Sequence, residues 1–69
     1  MEEALARKRV VRLQRTGALA DLREAAGLDQ TDVARALGVT QPTVWKWEAG
    51  QMRPTGTHAV ALLELLEAM

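Results

Sequence analysis

The sequence predicts an all-α fold, and two observations lead to that prediction. Apolar residues recur at spacings of three and four along the chain, as on one face of a helix, and neither strand-like alternation nor an internal repeat appears. Gly17, Gly27, Gly38 and Gly50 stand between the apolar segments, where glycine commonly ends a helix. We therefore expect five helices. A chain of 69 residues makes a single domain, near the lower size limit at which a core alone stabilises a fold.

The composition argues against several classes of protein. There is no cysteine, so we expect neither a disulfide framework nor a thiolate metal site. The single histidine, His58, cannot build a metal centre or a catalytic triad, and no nucleophile–base pair or carboxylate dyad appears. We therefore expect no enzyme, no metal and no cofactor. No apolar run approaches the ~20 residues that span a bilayer, and the N-terminus lacks the apolar stretch of a secretion signal, so we expect a soluble, cytoplasmic protein.

The charges are balanced in number but separated along the chain. The chain has nine basic and nine acidic residues, and residues 7–15 hold five of the bases and no acid. Glu64 and Glu67 lie near the other end, with no base after Arg53. This polarity is compatible with nucleic acid as a partner and predicts modest, salt-sensitive nonspecific affinity. The alternative is that the basic run is an ordinary solvated helix face.

A first helix is predicted over residues 2–15, and a second one follows it. Acidic residues at the start of the first helix and arginines at its end suit the helix dipole. Its apolar stripe is imperfect and consists of Leu5, Val10, Val11 and Leu13. Thr16 is a candidate cap for the second helix, which runs to about residue 26 and ends at Gly27. The inward residues of the second helix are Leu19 and Leu22.

Residues 30–49 predict two short helices that meet at a tight turn. Asp29 is the expected N-cap of the third helix, which ends at Gly38. Thr40 is expected to cap the fourth helix, and Pro42 lies in its first turn, where a missing N–H costs little. The apolar set that faces inward is Val33, Ala34, Leu37, Val39, Val44 and Trp47. Such a pair of helices is typical of a DNA-binding helix-turn-helix.

The last helix follows a loop over residues 51–55, with Thr55 or Thr57 as its cap. Its apolar residues are Val60, Leu62, Leu63, Leu65, Leu66 and Met69. This is more apolar surface than one small core usually needs, so we expect part of it to form a dimer contact. The candidate interface residues are Val60, Leu63 and Leu66, with the N-terminal helix as second choice.

The outer face of the fourth helix offers chemistry suited to base contacts. A helical wheel places four residues outward: Gln41, Pro42, Trp45 and Lys46. Glutamine pairs with adenine, lysine donates to guanine, and the two rings offer apolar contact to thymine methyls or sugar. The expected phosphate contacts are Gln30, Thr40, Thr43, Arg12, Arg15 and Arg53. The alternatives are a solvated polar surface and, for Trp45, packing against the N-terminal helix.

Arg23 and Glu48 both occur next to core positions, so they need not be plain surface charges. We favour a partly buried ion pair that joins the second helix to the fourth.

The segment LREAAGLDQTDVARALGVTQPTVWKWEAGQMRP, residues 22–54, resembles the Cro/repressor (XRE-type) helix-turn-helix regulators. The resemblance implies a compact five-helix, lambda-repressor-like DNA-binding domain with an extra N-terminal helix. It implies the same ion pair, the same base-contacting positions on the fourth helix, and phosphate contacts from Gln30, Thr40, Thr43 and the backbone near Gly50. Pro42 departs from the family, which usually has a polar residue there, and residues 1–15 have no assigned counterpart. We therefore divide the chain into an N-terminal basic helix or arm, 1–16, and a helix-turn-helix domain, 17–69.

The expected function is sequence-specific repression of transcription. A homodimer would bind double-stranded DNA at a palindromic operator, with half-sites about one helical turn apart, and no small-molecule effector pocket is expected. The ending, with one helix in place of the family's common two, is similar to that of small antitoxin-type regulators. The alternative is therefore an antitoxin that sequesters a toxin and regulates its own operon. A retained fold with weak or lost DNA binding is a third interpretation. The expected location is the bacterial cytoplasm, or the cytoplasm of the host if a phage encodes the protein.

Overall fold

Within residues 2–67, the computed structural model has five α-helices and no β-strand. They are α1 (Glu2–Thr16), α2 (Ala18–Ala25), α3 (Gln30–Leu37), α4 (Gln41–Glu48) and α5 (Gly56–Glu67). The all-α prediction of five helices is confirmed, and the last segment is a single continuous helix. Met69, which we assigned to the last helix, lies outside the described residues. No helix in this part of the chain combines the length and the apolar character needed to cross a bilayer.

One hydrophobic core receives side chains from all five helices. Trp47 is its largest fully buried side chain, with 1% of its surface exposed. The buried residues are Ala6, Val10, Leu19, Val33, Ala34, Val44, Trp47, Ala59, Leu62, Leu63 and Leu66. Leu22, Leu37 and Val39 pack against this cluster and are partly buried. Each residue that we expected to face inward on α2, α3 and α4 therefore contributes to the core.

The packing of α1 corrects two expectations from the sequence. The inward positions of α1 are Ala6 and Val10, whereas Leu5, which we placed in the apolar stripe, is 58% exposed. Because α1 packs along α5, Leu63 and Leu66 are only 4% and 5% exposed within the single protomer. Three of the apolar residues that we counted as surplus to one core, Leu62, Leu63 and Leu66, are thus buried within the chain, and Val60 and Leu65 are partly buried. The reason for assigning Leu63 and Leu66 to a dimer contact is removed.

The helix ends follow the sequence in two cases and depart from it in two others. Thr16, the candidate cap of the second helix, is the last residue of α1, and the N-cap of α2 is Gly17, which has no side-chain cap. Asp29 and Asp32 form a reciprocal capping box at the start of α3, with N–H to carboxylate distances of 2.8 and 3.0 Å. Thr55 accepts the N–H of His58 at the start of α5. Thr40 occupies the N-cap position of α4, but its side chain caps no backbone N–H. Its hydroxyl instead lies 2.9 Å from the hydroxyl of Thr43, so the expected side-chain cap is wrong.

Candidate nucleic-acid interface

The turn between α3 and α4 fixes the geometry of the interface. Gly38 has φ 73°, in the left-handed region that glycine adopts without steric cost, and the N–H of Val39 donates to the carbonyl of Ala34. The turn directs Val44 and Trp47 of α4 into the core, where each is almost fully buried. The opposite side of α4 is therefore turned toward solvent.

That solvent side, which we call the recognition face, consists of Gln41, Pro42, Trp45 and Lys46. All four residues are exposed. Trp45 is 48% exposed, so it does not pack away beneath α1. An exposed indole beside a glutamine and a lysine is a surface suited to a partner that offers both polar edges and apolar groups.

A nearly buried ion pair between Arg23 and Glu48 joins α2 to α4. The Nε of Arg23 lies 2.6 Å from the Oε2 of Glu48, and the Nη2 lies 3.2 Å from the Oε1. The same guanidinium donates through Nη1 to the carbonyl of Leu28, 2.8 Å away, and so holds the loop between α2 and α3. The Arg23 and Glu48 side chains are only 13% and 10% exposed. The hydrogen bond to Glu48 raises the pKa of Arg23 above its ordinary value, although burial opposes this.

Two glutamines extend this ion pair to the recognition face. The Nε2 of Gln30 donates to the Oε1 of Glu48 over 2.9 Å. The Nε2 of Gln41 then donates to the Oε1 of Gln30 over 2.6 Å. A continuous chain of charged and amide groups therefore runs from Arg23, through Glu48 and Gln30, to Gln41 at the surface.

The chemistry of Glu48 determines which way both amides point. An ionised carboxylate can only accept, so Gln30 must present its NH₂ group to Glu48 and its oxygen to Gln41. Gln41 must then present its own NH₂ group to that oxygen. One N–H and the carbonyl oxygen of the Gln41 amide remain unused within this chain of bonds. These are the donor and the acceptor that a bidentate pair with adenine N7 and N6 requires.

One family model, described as helix-turn-helix, matches residues 19–67, which is 49 of the 69 residues. The chain belongs to the helix-turn-helix family. The match confirms the resemblance to the Cro/repressor regulators and makes the protein a DNA-binding regulator. It begins within α2, so α1 lies outside the matched helix-turn-helix region. No curated protein and no solved structure matches the chain.

The residues that we expected to contact phosphate occupy several parts of this helix-turn-helix protein. Thr40 and Thr43 share one hydrogen bond between their hydroxyls, which leaves a single hydroxyl proton to donate outward. Gln30 keeps one N–H after its bond to Glu48. The two carboxylates of the capping box lie at the same end of α3, and their charge weakens the attraction of that helix terminus for an anion. The three expected arginine contacts, Arg12, Arg15 and Arg53, are exposed.

Gln14 is a structural residue of this helix-turn-helix protein that sequence analysis missed. Its Nε2 donates to the carbonyls of Trp47 and Met52, at 2.8 and 2.9 Å. These carbonyls belong to the last turn of α4 and the loop after it, and the Trp47 carbonyl also accepts the N–H of Gly50. Gln14 therefore fixes α1 to the end of the recognition helix. No local motif signals this role, because Gln14 is separated from Trp47 by 33 positions.

The described residues offer no alternative site built on a metal. No group of three His, Asp or Glu side chains between residues 2 and 67 lies close enough together to hold an ion. The ring of His58 instead lies against Trp47, with 5.7 Å between ring centroids, so this histidine borders the core of the helix-turn-helix domain.

Proposed function

We propose that the protein is a transcriptional repressor that binds a palindromic operator in double-stranded DNA as a homodimer. The observation that carries the proposal is the oriented amide of Gln41 on an exposed face of α4. In the proposed complex α4 enters the major groove, Gln41 pairs with adenine, and Lys46 donates to guanine. Pro42 and Trp45 contact thymine methyls or sugar. Repression follows because the bound protein occupies the promoter.

Phosphate contacts would set the position of α4 in the groove. We assign them to Thr40, Thr43 and the second N–H of Gln30, with Arg12, Arg15 and Arg53 at the edge of the interface. Such contacts fix register and orientation but do not distinguish bases.

The dimer follows from the size of the recognition face. Two copies related by a two-fold axis double the number of base pairs contacted and match the symmetry of a palindrome. A groove between α1 and α5, lined in part by exposed Leu5 and half-buried Val60, is a candidate for the contact. In a two-fold contact the same apolar residues of both copies meet, as an isologous interface requires.

The test starts with selection of an operator from a randomised duplex pool, followed by competition binding to single-base variants. Gln41→Ala should reduce discrimination at an adenine position, and Lys46→Ala at a guanine position, each by about 1–3 kcal/mol. Gln51→Ala removes an exposed amide that lies outside α4 and should leave the base preference unchanged. If Gln41→Ala and Lys46→Ala retain the base preferences of the unaltered protein, the recognition face is wrongly assigned.

The alternative function, sequestration of a toxin by α1 or α5, has less support. Three of the four leucines of α5, Leu62, Leu63 and Leu66, are buried within the protomer, and Leu65 is partly buried. A toxin-like reading frame encoded next to this one would favour the alternative.

A further inference from the structure

An open groove lies between α1 and the loop that follows α4, with a volume of about 630 Å³. We call it the basic groove. The residues that line it are Ala4, Arg7, Lys8, Val11, Arg12, Arg15, Arg53 and Pro54. Five of these eight side chains are cationic and none is a carboxylate.

This concentration of charge is unusual in a chain whose net charge is zero. The basic groove gathers five of the nine basic residues of the protein. Within residues 2–67, the two ion pairs are Arg9–Glu67 and Arg23–Glu48, and neither involves a residue of the groove. Arg9 belongs to α1 but points to the other side, where it pairs with the end of α5. Of the cations of α1, Arg9 is therefore paired with a carboxylate. The four that line the groove have no carboxylate partner within residues 2–67.

The spacing of the cluster suits a linear polyanion. Lys8, Arg12 and Arg15 follow one another at i, i+4 and i+7, so they share one face of α1 over roughly 10 Å of helix. Successive nucleotides of one DNA strand rise about 3.4 Å along the duplex axis, so this length corresponds to about three nucleotides. The uncharged lining residues offer no donor or acceptor side chain, so recognition in the groove is ionic and independent of base identity.

The groove is fixed relative to the recognition helix. Arg53 lies in the loop that begins at the end of α4, and Gln14 bonds α1 to that same end. We infer that the basic groove binds the phosphate backbone next to the base pairs that α4 contacts, and so adds a second, sequence-independent DNA contact to each protomer. This inference rests on the proposed function.

The experiment compares two sets of charge-neutralising changes on the same helix. The groove variant is Lys8→Gln with Arg12→Gln, and the matched control is Arg9→Gln, which removes a cation from the opposite side of α1. The probe is a mixed-sequence duplex of about 30 base pairs, titrated by fluorescence anisotropy between about 50 and about 200 mM salt. Thermal unfolding of each variant, followed by circular dichroism, verifies that it is folded.

The expected result is a smaller salt dependence for the groove variant alone. Each lost phosphate contact should reduce the slope of log K against log salt by about 0.9, so two lost contacts reduce it by about 1.8. Over the same fourfold range of salt, the unaltered protein then loses about 12-fold more affinity than the groove variant. Arg9→Gln should retain the slope of the unaltered protein. The inference is overturned if the groove variant keeps that slope, or if Arg9→Gln lowers it equally.

Failure of this inference is distinguishable from failure of the proposed function. A reduced slope in the groove variant, with base preferences unaffected by Gln41→Ala, would retain the groove and reject the recognition face. If the groove variant keeps the slope of the unaltered protein while Gln41→Ala loses the adenine preference, the recognition face is retained and the basic groove is rejected. Tight binding of a glutamate-rich peptide, with no binding of the duplex, would overturn the phosphate assignment and make the groove a protein-binding surface.

Discussion

The side-chain oxygen of Gln30 accepts a 2.6 Å hydrogen bond from the side-chain amide of Gln41. Gln30 is in turn held by Glu48, which is fixed by Arg23. The exposed glutamine is therefore positioned by a residue that need not touch a base. The hydrogen bond to Gln30 therefore holds the Gln41 side chain in one rotamer before DNA binds.

Gln30→Ala should accordingly impair recognition of adenine without removing a base contact. We expect discrimination at the adenine position to fall by about 1 kcal/mol, less than the full loss expected for Gln41→Ala, because the released amide still reaches the base. Competition binding with adenine-substituted operators measures this. Thr57→Ala, an exposed change at the start of α5, is the control. Equal base preferences in Gln30→Ala and the unaltered protein would contradict the positioning role.

Glu48→Ala should lower the free energy of unfolding by about 3–5 kcal/mol, because it leaves the Arg23 charge nearly buried without its partner. Urea denaturation measures the loss. Glu24→Ala, an exposed change on the same helix as Arg23, should stay within about 0.5 kcal/mol of the unaltered protein.

The double change Arg23→Met with Glu48→Leu separates stability from recognition. Replacing both charges by apolar side chains should restore most of the stability lost in Glu48→Ala. It also removes the carboxylate that orients Gln30, so the adenine preference should remain reduced. A double variant as unstable as Glu48→Ala would indicate that the pair stabilises the fold by more than charge compensation.

Leu66→Ala should destabilise the protomer rather than only dissociate a dimer. The side chain is 5% exposed within one chain, and truncation of a buried leucine costs about 2–5 kcal/mol. Leu5→Lys changes an exposed position next to the groove between α1 and α5, so it should lower the solution mass while leaving the protomer folded. Analytical ultracentrifugation and thermal unfolding together distinguish the two effects. If Leu66→Ala is as stable as the unaltered protein but has the solution mass of a monomer, the dimer contact lies on α5 after all.

The order of helices and most of the core could be predicted because they depend on local pattern. Val33, Val44 and Trp47 have helical spacing around a glycine that ends α3, and Asp29 has the acidic partner that a capping box requires. Such features are encoded within a few residues of one another. They therefore do not depend on knowledge of which helix packs against which.

The remaining features depend on contacts between distant segments. The burial of Leu63 and Leu66 requires α1 to pack along α5, which their own spacing cannot reveal. Likewise, the position of Gln30 beside Glu48 follows from the angle between α3 and α4. Thr40 has the sequence of a cap, yet a neighbouring hydroxyl competes for its side chain.

Gln14 has a thermodynamic consequence for binding. Since its amide donates to carbonyls from the last turn of α4 and the following loop, α1 cannot detach without breaking both hydrogen bonds. The ordering entropy of α1 is therefore lost when the chain folds, and association with a partner does not have to supply it again. A disordered basic tail of equal charge would incur that cost at each binding event.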